Sequence, residues 1–148
     1  MQVPHSATPK DIVRQLFDCI RQNRPDGFAH LVSASHIDRS NGRHGPDGVA
    51  AGAANLHRAY SDFDISIEAM VAEGDTVVVR WRETGVHTGS FFNLRPTGRP
   101  FDAYGVNVYR VQNSKVVESL IAVDPKTIRA QQEGQAALAA QAHQSTTP

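Results

Sequence analysis

The sequence predicts an α+β domain with helices packed on one face of a curled, mostly antiparallel sheet, and three observations carry this. Apolar residues recur at helical spacing near the start of the chain, the period changes to two from Phe63, and helical patterns gather before strand patterns. At 148 residues the chain is the size of one domain, able to bury about two-thirds of its unfolded surface without staples. No repeat or second domain is visible. Residues 1–148 are read as one unit, with a core of 9–133 and a C-terminal helix end and tail over 134–148.

The first helix follows Thr8-Pro9, where Thr8 can cap free amides and Pro9 occupies the first helical position. Ile12, Val13, Leu16, Phe17 and Ile20 form its apolar face, and Arg24-Pro25-Asp26-Gly27 ends it. Phe28 to Val32 reads as one or two further turns, and His36 to Ser40 as a short strand or loop. A third helix spans Pro46 to Tyr60, whose alanines allow close packing. Phe63, Ile65 and Ile67 then alternate with Asp64, Ser66 and Glu68, as in a strand with one wet face. After the turn Glu73-Gly74-Asp75, a strand covers Thr76 to Thr84. Gly85 and Gly89 predict a bulge or bend, and residues 95–100 a turn. Strands Phe101–Val111 and Lys115–Val123 flank a tight turn at residues 112–114, and Asp124-Pro125 opens a last helix that fades into the tail.

Fifteen basic and fifteen acidic side chains give no net charge, so no field gathers phosphate backbones or anionic lipid, and nucleic acid is not expected as a partner. Lone Cys19 cannot form an internal disulfide, the N-terminal stretch lacks an apolar signal core, and no run approaches the roughly 18 apolar residues that span a bilayer. A cytoplasmic protein with no membrane association is expected. The seven His are scattered without a nearby carboxylate at ligand spacing, and no glycine-rich phosphate loop follows a strand. The expectation is therefore no metal and no cofactor.

The order of elements, together with VAEGDTVVVRWRETGVHTGSF, RPTGRPFDAYGVNVYRV and KVVESLIAVD, resembles the SnoaL-like polyketide cyclase family of the nuclear transport factor 2-like superfamily, from about Asp11 to Gln132. The resemblance implies a cone-shaped, barrel-like fold around an apolar pocket. It also implies a small hydrophobic substrate, a homodimer, and acid–base (enolisation and aldol) chemistry on a polycyclic or enolisable ketone in secondary metabolism. A related hydroxylase or isomerase of a polyketide or terpenoid pathway, or a non-catalytic small-ligand-binding module, is the alternative, since the superfamily houses several activities.

Site residues follow from that likeness. Asp124 falls where the cyclases carry an acid or base; Asp-Pro before a helical run is equally an N-cap with a first-turn Pro, and the two roles are compatible. Asn107 sits where relatives direct a polar side chain at the substrate oxygen, and its amide can donate to an enolate. Phe17, Trp81, Phe91 and Tyr109 would supply apolar walls. Ile37-Asp38-Arg39 aligns Arg39 with a pocket His of the family. If Ile37 packs inward, Arg39 does too; a slip of one residue instead brings His36 and Asp38 into the cavity. His87 either orients a glycine-flanked bend or contacts substrate. Ser119-Leu120 after Glu118 departs from the His-Trp of many relatives, and Arg82-Glu83-Thr84 lacks the Arg-x-Asp spacing of the epoxide hydrolases.

Overall fold

The computed structural model describes residues 7–91 and 94–122. Helix α1 (Pro9–Gln22) starts as expected: the Thr8 hydroxyl accepts from the Asp11 amide, and the Asp11 carboxylate accepts from the Thr8 amide. It ends at Asn23, whose left-handed φ of 51° closes the last turn. A 3₁₀ turn (Pro25–Gly27) and helix α2 (Phe28–Leu31) follow, then strand β1 (Val32–Asp38), helix α3 (Gly45–Ala59), and strands β2 (Tyr60–Glu73), β3 (Thr76–His87), β4 (Pro100–Gln112) and β5 (Lys115–Ile121). The helix expected from Asp124 lies outside the described residues.

The five strands form one sheet in the order β1-β5-β4-β3-β2. Neighbours are antiparallel except β1 and β5, which run parallel. The helices lie over one face: Ile12, Val13, Leu16 and Phe17 are buried, and the Phe17 ring meets Tyr109 of β4 edge-on at 6.2 Å. His57 of α3 bonds the Ile20 carbonyl at 2.7 Å, tying α3 to the end of α1.

Two expectations about local structure change. Gly85 does not interrupt β3, which runs on to His87. The irregularity is on the partner strand, where the register slips between Ser61 and Asp64 and Asp62 takes a left-handed φ of 53°. A Cβ at Gly85 would lie 2.9 Å from the Tyr60 Cβ and 3.1 Å from the Ser61 carbonyl oxygen. The glycine therefore admits the displaced strand. Second, β1 begins at Val32 rather than near His36. Its pairing to β5 slips between Val32 and Ile37.

Candidate functional site

Alternation along β3 buries Val77, Val79, Trp81 and Glu83 on the helix-covered face and leaves Arg80 and Arg82 on the other. There Arg82 makes a bidentate pair with Asp102 across the ladder, at 2.9 and 2.7 Å. The inward face of the sheet, with Leu16, Phe17 and Ile20 of α1 and Val49, Ala53 and Leu56 of α3, encloses a cavity of about 790 Å³. That volume suits a drug-sized ligand, and most of the wall is aliphatic or aromatic.

The polar groups in it are ordered by one another. Trp81 Nε1 donates to Asn107 Oδ1 at 2.9 Å, and Asn107 Nδ2 donates to the Tyr109 hydroxyl oxygen at 2.8 Å. Because that oxygen accepts from Asn107, the Tyr109 proton remains available to a third group. Burial pushes the Tyr109 phenol up, with the Asn107 hydrogen bond opposing the shift and the charge of Asp38, and of Glu83 once it has ionised, adding to it. The indole reaches Asn107 only because residue 105 has no side chain: a Cβ at Gly105 would sit 2.1 Å from Trp81 Cζ2.

On β1, His36 is 1% exposed and its Nε2 lies 2.8 Å from the Ser119 hydroxyl of β5. Its Nδ1 is occluded and has no hydrogen-bond partner. Burial lowers the His36 pKa, with Asp38 opposing and His44 adding to the shift, so the imidazole is neutral at pH 7. Asp38, two residues on and lining the same cavity, accepts from the Ser40 amide at 2.8 Å and from the Ser40 hydroxyl through Oδ1. Glu83 lines the cavity, is 6% exposed, and has no hydrogen-bond or ion-pair partner among the described residues; burial pushes its pKa up to about 8.

The expected wall residues Phe17, Trp81, Phe91 and Tyr109 come together here with Asn107, His36 and Asp38. Arg39 does not: its guanidinium is on the opposite face, 58% exposed, paired with Glu118 at 3.2 Å. Of the two alternatives for residues 36–39, the structure adopts the one that brings in His36 and Asp38. Val32, His36 and Asp38 share one parity along β1 and all line the cavity, whereas Ile37 and Arg39 do not. His87 lies behind the cavity wall, buried, with Nδ1 3.3 Å from the Thr97 amide and hydroxyl and its ring against Tyr60 at 5.5 Å. It shapes the bend. Asp124 lies outside the described residues.

Sequence reasoning missed Glu83 and Ser119 as cavity residues. Glu83 had a signal, since it lies two residues beyond Trp81 and so on the same face. Ser119 had only its departure from the family pattern; in place of a large ring it leaves room for His36 and supplies that ring's hydrogen bond. Among the described residues no group of three His, Cys, Asp or Glu is placed to hold a metal ion, and no helix is long and apolar enough to cross a membrane.

The model of the SnoaL-like polyketide cyclase family matches residues 10–132. No curated protein matches the chain significantly. Among solved structures, IdmH from Streptomyces antibioticus, a candidate polyketide cyclase, is 21% identical with a TM-score of 0.73, covering 85% of this chain and 99% of its own. TsrD from Streptomyces laurentii is 15% identical with a TM-score of 0.77, covering 87% and 97%. AclR from Streptomyces galilaeus, a candidate hydroxylase, is 22% identical with a TM-score of 0.67, covering 82% and 83%. At these identities the likeness concerns the fold.

Proposed function

The chain belongs to the SnoaL-like polyketide cyclase family, and we propose that it enolises a polycyclic ketone in this cavity and closes a ring by intramolecular aldol addition. The observation that carries the proposal is the pairing, in one largely apolar chamber, of a carboxylate with neutral oxygen-directed donors: Asp38 with Tyr109 and Asn107.

The chemistry needs one group to take and return a proton, and another to hold developing negative charge on oxygen. A carboxylate removes the α-proton of the ketone while the C–H electrons move onto the carbonyl oxygen. The Tyr109 O–H, its oxygen already held by Asn107, is set to donate to that enolate. The enolate carbon then attacks a second carbonyl of the same molecule. The alkoxide so formed recovers the proton from the carboxylic acid, so the catalyst ends as it began. The resemblance assigns the carboxylate to Asp124; Asp38 supplies a second one within the described cavity.

The test is product analysis by mass spectrometry with aromatic polyketide intermediates, using wild type, Asp124→Asn and Asp38→Asn. The proposal expects an isomeric or dehydrated product from wild type. It also expects a loss of about a hundredfold or more in the variant that lacks the working base. A product heavier by one oxygen would assign the hydroxylase alternative. Binding with no turnover by any of the three proteins would make the chain a ligand-binding module.

A further inference from the structure

We propose that Glu83 is the residue that selects the ligand's oxygen, donating its carboxyl O–H to a neutral ketone or hydroxyl oxygen seated against β3. The inference deepens the ketone-binding reading above and rests on it for the ligand class.

Glu83 stands on the inward face of β3, and its ladder neighbours, Ile65 on β2 and Ala103 on β4, are both apolar. Turning it outward would carry Trp81 and Val79 out as well, since all three share one face of the strand. The chain therefore places a carboxyl where a Leu or Met would pack.

No structural duty accounts for it. Among the described residues Glu83 has no hydrogen-bond or ion-pair partner, although buried polar groups are almost always partnered. Nor are its oxygens sealed in the wall: among the described residues the fully occluded, unpartnered side-chain atoms are His36 Nδ1 and His87 Nε2. The Glu83 oxygens are thus open to the cavity, the remaining source of a partner. Among the described residues the other charged or titratable groups lining that space are Tyr109 on β4, His36 and Asp38 on β1, Arg43 beside α3 and Arg58 on it. Neither arginine pairs with Glu83, so no cation holds it ionised.

Protonation state then sets specificity. Burial keeps the carboxyl protonated at pH 7, and it ionises near pH 8. In the protonated form it is a donor that complements a neutral oxygen. Ionised, it has no proton to give and repels the oxygen lone pairs. Ligand affinity through this contact is therefore present below about pH 8 and lost above it.

The test uses two rigid tricyclic probes, 9-fluorenone and its hydrocarbon counterpart fluorene, with equilibrium dialysis at pH 6.5 and 9.5. Fluorenone has no α-hydrogen, so binding is read without turnover and does not depend on the aldol proposal. Wild type should bind fluorenone about tenfold more tightly at the lower pH, with fluorene unaffected. Glu83→Gln keeps an N–H donor and cannot ionise; it should hold fluorenone equally at both values. Glu83→Met should bind fluorenone no better than fluorene at either. The emission of Trp81 and a circular-dichroism melt check folding. If the Met variant does not fold, the comparison of wild type with Gln decides alone. The inference is overturned if wild type shows no pH dependence or no preference for fluorenone. It is equally overturned if the Gln variant keeps the wild-type pH limb, or if a folded Met variant binds fluorenone as wild type does.

Discussion

Replacing Glu83 with Gln should stabilise the protein at neutral pH, and by an amount that grows with pH. The folded state holds the Glu83 proton up to about pH 8, whereas the unfolded chain releases it near the ordinary value of 4.5. Between those values the folded state binds one more proton, so raising the pH favours unfolding. The group's contribution is whole below about 4.5, falls through the window, and is lost above about 8. At about 1.4 kcal/mol per pH unit, the wild type gives up roughly 3 kcal/mol by pH 7 and roughly 4 by pH 8. The Gln side chain, close in size and neutral throughout, carries no such loss. Urea unfolding of both proteins at pH 5, 7 and 8.5 measures the difference: small at 5, about 3 kcal/mol at 7, larger at 8.5. Parallel curves, with a constant difference across that range, would refute a buried, unpaired and protonated carboxyl.

Gly105→Ala should cost about 1–3 kcal/mol and shift the Trp81 emission, because the added Cβ meets the indole at 2.1 Å and breaks its bond to Asn107; an unchanged spectrum and melt would contradict the packing. Ser119→Ala deprives His36 of its hydrogen bond and leaves both ring nitrogens unpartnered, for a loss of about 1–2 kcal/mol in a urea melt. Arg39→Ala removes an exposed ion pair and should change stability by less than about 1 kcal/mol while leaving fluorenone affinity intact; a tenfold loss of affinity would return Arg39 to the cavity. The resemblance implies a homodimer, and the outer sheet face exposes Tyr104 and Leu120. Sedimentation at micromolar concentration should give twice the chain mass, and a monomer would refute it.

Much of this protein follows from local pattern. Spacing of Ile12, Val13, Leu16 and Phe17 sets a helix face because a helix repeats every 3.6 residues, and Thr8-Pro9 marks its start whatever it packs against. Alternation along β3 puts Trp81 and Val79 on one side in any sheet, and the residues read as cavity walls did converge. The facing of residues 36–39 is not obtained this way, because the chain up to Val32 reads as helical turns and gives no start for the count. It depends on a parallel pairing with β5, some eighty residues further along, which makes a strand of residues 32–38. Alternation from Val32 does turn His36 and Asp38 inward, but it applies only once a distant partner has made this stretch a strand. The same limit applies to Glu83. Its inward direction is a property of its own strand and was within reach, but its lack of any partner belongs to the whole neighbourhood. The sequence alone determined the order of the elements and most of the wall they build, whereas only the tertiary structure decided where β1 begins, that His36 replaces Arg39 in the cavity and that Glu83 faces it without a partner among the described residues. Distant chain segments must meet before a side chain's burial and partners exist.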